Sequence, residues 1–345
     1  MSDDQTHLTR NVLALGLMTL CYAAFQGICQ TIVPLAMDHQ EFTKTTIGMM
    51  QAVPGIIVLS LGAPLARLAN GRWRRGTLTS CFVLAGIASV LYGNASRPLD
   101  FVAPQLLFGL SSTAFWSNMV ASSFRLAKAP RKNHQIQAIV TSMQGIGAFG
   151  GPLLGGYLSI QSFRYGFFSG VLCAAIGLGA SRLLSRSVAI EPGVGIRDFF
   201  IGAYLQLFRL VTRQPIVILG MSFVALNCFL LYVMGGSFYV LYTSQIGLSV
   251  FVAAALVSGR DAISAVMRLG FSRISRHMSP IVLLGVGTVL GAFSLGVLPL
   301  ATALFGVALV ALAQGIFLAF LPPAVNTLVG SSTQSTQPWT VASPS

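Results

Sequence analysis

The chain has 345 residues, of which 54% are hydrophobic and only 8% charged, and its mean hydropathy is +0.77. Soluble domains carry about 25% charged residues, so this chain cannot cover a globular surface with polar groups, and its solvent is lipid. The formal net charge of +13 does not describe a nucleic-acid binder, because Lys and Arg sit in short clusters between apolar runs and not along one polar face.

A helix crossing the hydrocarbon core of a bilayer takes about 20 apolar residues, and roughly ten runs approach that length. The first half holds runs at 11–37, 47–69, 77–92, 101–124, 137–160 and 163–184. The second half holds runs at 215–242, 247–269, 280–297 and 300–328. The runs are continuous, whereas barrel strands alternate over about ten residues, so the expected fold is an all-α polytopic membrane helix bundle. The polar, acidic segment before the first run lacks the basic stretch of a cleaved signal, and that run is read as a retained span. Cys21, Cys29, Cys81, Cys173 and Cys228 all fall inside apolar runs without metal-ligand spacing, as small buried hydrophobes do.

Basic residues set the orientation. With the N-terminus inside, 17 of the 21 Lys and Arg fall on the cytoplasmic side, among them Arg67, Arg72, Arg74, Arg75, Arg125, Lys128, Arg131 and Lys132. Lys44, Arg97 and Arg164 fall outside, and Arg260 lies within a span. That asymmetry predicts a cytoplasmic N-terminus.

The longest stretch between runs covers 185–214, where Glu191-Pro-Gly-Val-Gly195 breaks any helix. It divides the chain into an N-terminal six-helix half (1–184), a cytoplasmic central loop (185–214), an incomplete C-terminal half of about four helices (215–330) and a polar tail (331–345). Within the loop, 196–213 mixes Phe, Leu and Arg at helical spacing. Two readings stand for it: a helix on the membrane surface, or a linker with a helical start to span seven. Spans one and two, and then seven and eight, each share a short outer loop followed by a Gly/Arg-rich inner loop. Such repeated halves are a common transporter plan, with the solute site where they meet.

Span five contains Gly147-Ala-Phe-Gly-Gly151-Pro152-Leu-Leu-Gly155-Gly156. Gly147, Gly151 and Gly155 recur every four residues, line one helix face and let a neighbouring backbone approach. Pro152 removes one backbone hydrogen bond and bends the helix, which a packed bundle tolerates. This run resembles, at every specified position, the fifth-span motif of the major facilitator superfamily, G-x-x-x-G-P-x-x-G-G. In that family the motif goes chiefly with exporters that exchange a solute for protons. The resemblance covers about 11–328.

Other family motifs are altered. The loop after span two, G-x-L-A-D-R-x-G-R-R in the family, has here Gly62, then Ala66 in place of the acid, then Arg67, Arg72, Arg74 and Arg75. The family's acid helps latch the two halves, and Ala66 cannot make that charge pair. These arginines are also sufficient as topology signals. Span four, R-x-L-x-G-x-G in the family, has Gln105, Leu107, Gly109 and Ser111, with an amide in place of the arginine linked to proton exchange. The family has twelve spans against about ten here, which leaves a truncated or non-transporting membrane protein as one alternative.

The resemblance implies that spans one, four, seven and ten line a central cavity. The solute-contact candidates are then Tyr22, Gln26 and Gln30 in span one, Gln105, Trp116 and Asn118 in span four, Asn227 and Tyr232 in span seven, and Gln314 in span ten. Each could instead hydrogen-bond a neighbouring helix as ordinary packing; Tyr22, Gln26 and Gln30, which recur at helical spacing as one polar stripe, are the set that best fits a solute. Arg260 and Asp261 form the charged pair within an apolar run, and charge at that depth is functional or paired. Asp261 is the proton-carrier candidate; in the alternative, Arg260 or Arg268 holds it as a structural pair. Asp38 and Glu41, just past span one, read as solvated loop acids.

The histidines His7, His39, His134 and His277 lie at loops or termini, so no catalytic dyad, metal cage or cofactor site is implied. The expectation is a transporter of small solutes, not an enzyme, with the bilayer and a small-molecule substrate as partners and protons as a further one. Efflux of an amphipathic compound by proton exchange leads, and import or facilitated diffusion of a neutral metabolite follows. A strongly charged solute is disfavoured, since the cavity faces supply no charge beyond Arg260 and Asp261. The family's compact members point to a bacterial inner membrane.

Overall fold

A computed structural model describes residues 3–68, 74–126, 130–184, 196–213, 222, 237–274 and 278–334. Helices fill them: α1 (Asp3–His39), α2 (Lys44–Leu68), α3 (Arg74–Asn94), α4 (Val102–Leu126), α5 (Pro130–Ser159), α6 (Phe163–Leu183), α7 (Ile196–Arg213), α8 (Phe238–Gln245), α9 (Val250–Ile274), α10 (Pro280–Val297) and α11 (Leu304–Gln334). No strand occurs among the described residues. In lipid every backbone N–H and C=O must be satisfied within its own segment, and an unbroken helix does that.

Among the described residues six helices are long and apolar enough to cross a membrane: Leu8–His39, Lys44–Ala66, Arg74–Asn94, Phe163–Leu183, Val250–Arg268 and Ile281–Leu300. A shorter apolar stretch covers Leu304–Phe320. The runs expected at 101–124 and 137–160 are helical as α4 and α5, but their Gly, Ser and amide residues dilute the hydropathy below that of the six. The run expected at 215–242 lies largely outside the described residues.

Local chemistry sets the helix ends. Ser162 and Ser279 cap α6 and α10, each side-chain oxygen accepting a backbone N–H at 3.3 Å, which satisfies a donor the helix leaves open. Gly247, at φ +82°, turns the chain between α8 and α9, a conformation that costs glycine little. Between α3 and α4, the Asp100 carboxylate accepts the backbone N–H groups of Ser96 and Arg97 at 3.1 and 2.8 Å. These bonds favour its ionised form and hold its carboxyl below the usual 3.8.

Two compact units are formed, one of Met1–Tyr204 with Gly236–Ser258 and the other of Leu205–Gly235 with Gly259–Ser345. In the first, α1 packs chiefly on α5 and α6, α3 on α4 and α6, and α2 on α4. Helix α1 is the axis: 67% of its apolar window is buried against 11% for α2, which turns Ile56 and Leu59 outward. In the second unit, α10 packs on α11. The segment 196–213 is helical as α7, with Ile201, Leu205 and Phe208 exposed and Ala203 buried.

Candidate functional site

In the first unit the polar residues of α1 and α4 meet inside an aromatic cluster. Tyr22 is fully buried. Its ring stacks on Phe115 at 3.9 Å between centroids and meets the edges of Phe25, Phe82 and Trp116. The Tyr22 hydroxyl shares a 2.8 Å hydrogen bond with Ser111 Oγ, and Ser111 Oγ can also donate to the Phe108 carbonyl at 3.1 Å. One turn on, Gln26 Oε1 accepts the Trp116 indole N–H at 2.8 Å. Gln26 and Trp116 are half-buried, as is Gln30 a further turn along. The Tyr22, Gln26 and Gln30 stripe thus divides: its first member is core, the second bonds across to α4, and the third stays partly open.

On α4, Gln105 is buried, and Asn118 donates from Nδ2 to the Ala114 carbonyl at 2.7 Å. Asn118 Oδ1 is buried with no partner among the described residues, a costly state for an amide oxygen unless a solute or water completes it. Asn227 and Tyr232 lie outside the described residues.

The glycine face of α5 lies on α1. A Cβ at Gly147 would fall on the Leu20 carbonyl oxygen, and one at Gly151 on the Ala24 carbonyl, 2.6 Å from Ala24 Cα. At Gly155 it would stand 2.6 Å from Ile32 Cδ1. Pro152 meets Gly27 of α1, where a Cβ would lie 2.7 Å from the ring Cδ. Gly156 points elsewhere: a Cβ there would land on Ala254 of α9. The motif is therefore a backbone-to-backbone seam with α1 plus one contact to α9.

Of the loop motif after span two, Arg72 and the Arg67 side chain lie outside the described residues. Gly62 is not crowded, since a Cβ would be 3.9 Å from the nearest atom, Thr113 Cγ2. Arg74 is buried, and Arg75 Nη2 donates to the Arg182 carbonyl of α6 at 3.1 Å.

In the second unit, Arg260 Nε donates to Asp261 Oδ1 at 2.9 Å, with the two side chains 4% and 17% exposed. Arg268 lies within electrostatic reach of Asp261 and donates from Nη2 to the Leu318 carbonyl of α11 at 3.0 Å. Where α11 closes on α9, a Cβ at Gly315 would stand 2.7 Å from the Arg260 carbonyl. The adjacent Gln314 is 1% exposed, and neither of its amide atoms has a partner among the described residues. Ser264, between the two arginines, is likewise buried without a partner. Positions 260, 264 and 268 follow a four-residue step, the helical signal by which Ser264 joins this face.

Asp38 departs from its reading as a solvated loop acid. It is ion-paired with Lys44, and Oδ2 accepts from Ser244 Oγ of α8 at 3.2 Å. Glu41 is exposed in the turn. Among the described residues, no three His, Cys, Asp or Glu side chains converge as a metal site.

The family model of the Major Facilitator Superfamily matches residues 15–338. No curated protein sequence matches significantly. The fold is similar to that of the nucleoside transporter NupG, at 14% identity over 93% of this chain and 83% of that one, with a TM-score of 0.73. It is similar to a bacterial homologue of the human lysosomal transporter Spinster in its inward-facing and unoccupied conformation (16% identity, 97% and 80% covered, TM-score 0.67). A POT family transporter in complex with 5-aminolevulinic acid also shares it (17% identity, 92% and 83% covered, TM-score 0.67).

Proposed function

The chain belongs to the major facilitator superfamily and is a transmembrane transporter of small solutes, and from that premise we propose that it exports amphipathic compounds in exchange for protons. The observation that supports this most is the span-five glycine run seated on α1, because the motif it resembles goes with proton-exchanging exporters. Helix α1 also carries Gln26 and Gln30, so a shift of the α1–α5 seam moves the proposed solute contacts with it.

Gln26, Gln30, Gln105, Trp116 and Asn118 are the proposed contacts from α1 and α4. Tyr22, whose hydroxyl is engaged by Ser111, supports them from behind. Asn227, Tyr232 and Gln314 keep the role that the family resemblance gives them. Asp261 is the proposed proton carrier. Protonation removes its charge and weakens the pair with Arg260, giving an arrangement whose two states are biased by the proton. In this reading the N-terminus lies in the cytoplasm and the chain in a bacterial inner membrane, with 1–184 and 215–330 as the two halves.

A second reading, import or facilitated diffusion of a neutral metabolite, is favoured by Gln105, an amide where the fourth-span motif of the family has the arginine linked to proton exchange. The test is proton movement in proteoliposomes containing the full chain, screened with lipophilic cations, antibiotics and sugars. Solute-triggered proton flux that Asp261→Asn abolishes is the expected result. Solute movement that ignores the pH gradient and survives Asp261→Asn refutes exchange and leaves the second reading. Silence across the panel, in folded protein, refutes transport of those classes.

A further inference from the structure

Helix α7 has 18 residues, long enough for about 27 Å at 1.5 Å per residue, and carries Arg197, Arg209 and Arg213 against one acid, Asp198. Ile201, Leu205 and Phe208 recur at i, i+4 and i+7, the spacing of one helix face. All three are exposed, Phe208 at 66%, while Ala203 on the opposite side is buried. A soluble helix turns its apolar stripe inward; this one turns an apolar stripe outward, and that stripe is flanked by the exposed Arg209.

Two observations bear on what covers the stripe. The first is its anchorage. The Tyr204 hydroxyl donates to the Ser60 carbonyl of α2, and Ser60 sits beside Ile56 and Leu59, which α2 turns outward. The first part of α7, which belongs to the first unit, is therefore tied to a span whose apolar window is only 11% buried, two turns from the Leu68 end of α2. The second is charge: the basic excess on α7 complements an anionic headgroup, and an Arg next to an apolar stripe can bury its stem while its guanidinium reaches the headgroup layer.

We infer that α7 lies in the membrane interface as an anionic-lipid docking surface, with Ile201, Leu205 and Phe208 entering the acyl boundary and Arg209 engaging a phosphate-bearing headgroup. Interfacial helices bury their apolar face about 5–10 Å below the headgroups, and their affinity combines apolar area with attraction to anionic lipid. Both parts are present on one face here. The surface is separate from the proposed solute contacts and stands whether or not the chain exports.

The test uses the full chain in vesicles. Phe208→Trp adds a fluorophore to the three native tryptophans at a position with room for the larger ring, and the difference from wild type reports its surroundings. Brominated phosphatidylglycerol, at equal mole fraction, is expected to quench this added emission at least twofold more than brominated phosphatidylcholine. In the Phe208→Trp, Arg209→Gln double variant that preference is expected to vanish while quenching by both lipids persists. Absence of quenching by either lipid overturns the proposal, because protein, a second copy or another segment, then covers the face. Equal quenching by the two lipids in the Arg209 background also overturns it, leaving an apolar contact without headgroup selection.

Discussion

The seam between α1 and α5 makes neighbouring glycines behave oppositely. At Gly151 an added Cβ would meet Ala24, 2.6 Å from its Cα, whereas at Gly150 nothing lies within 4 Å. Carbon atoms pack at about 3.5–4.0 Å, so Gly151→Ala requires α1 and α5 to part by roughly 1 Å. The obstacle is backbone, and no side-chain rotation relieves it. Overpacking of this kind costs about 1–3 kcal/mol, and in lipid, close packing is itself what holds helices together. At about 2–4 °C per kcal/mol for a chain of this order of size, Gly151→Ala is expected to unfold roughly 2–12 °C below wild type. Gly150→Ala is expected to match wild type or exceed it, by the gain in helix propensity of up to about 1 kcal/mol. A thiol-reactive dye suits the measurement, because Cys21, Cys29 and Cys81 are buried and react once the bundle opens. Unfolding of Gly151→Ala at the wild-type temperature, or equal losses at both positions, would refute a backbone seam. Transport that survives in Gly151→Ala at a temperature where the variant is folded would further separate packing from conformational switching.

Tyr22→Phe removes one buried hydrogen bond but leaves Ser111 its bond to the Phe108 carbonyl. The expected loss is about 0.5–1.5 kcal/mol in denaturant unfolding, with no change in Trp116 fluorescence. Gln314→Leu replaces two buried amide atoms that have no partner among the described residues, so it is expected to raise the unfolding temperature while reducing any solute-induced stabilisation. A fall in that temperature would mean that the amide is satisfied in the apo protein. Asp100 has a folded pKa below 3.8, so its contribution to stability is present above the unfolded value and is lost as pH falls through the folded one. Asp100→Asn is expected to flatten the acid limb of unfolding temperature against pH below about pH 4, and an unchanged limb counts against those backbone bonds.

The apolar runs and the glycine face were legible in the sequence because each depends on one local period. Twenty-odd apolar residues need no partner to be a span, and Gly147, Gly151 and Gly155 share a face whatever they touch. What they touch is α1, and no local signal says so. The polar stripe on α1 shows the limit more sharply. Periodicity placed Tyr22, Gln26 and Gln30 on one face, yet a helix enclosed for most of its length has no face reserved for a cavity. Tyr22 accordingly packs against Phe115 and Phe82 while Gln30 stays half-buried. The acids follow the same logic. Asp261 declares itself by lying in an apolar run beside Arg260, a one-residue relation. Asp38 sits at the edge of a polar turn and looks solvated, but one of its partners is Ser244, 206 residues away. Lipid sharpens this division: it fixes where helices lie by hydropathy, which is local, while the driving force that chooses their neighbours is shape and hydrogen bonding, which is not. A substitution that changes hydropathy alone, such as Leu59→Ser on the outward face of α2, is therefore expected to disturb insertion more than packing, and one that changes shape alone, such as Gly151→Ala, the reverse.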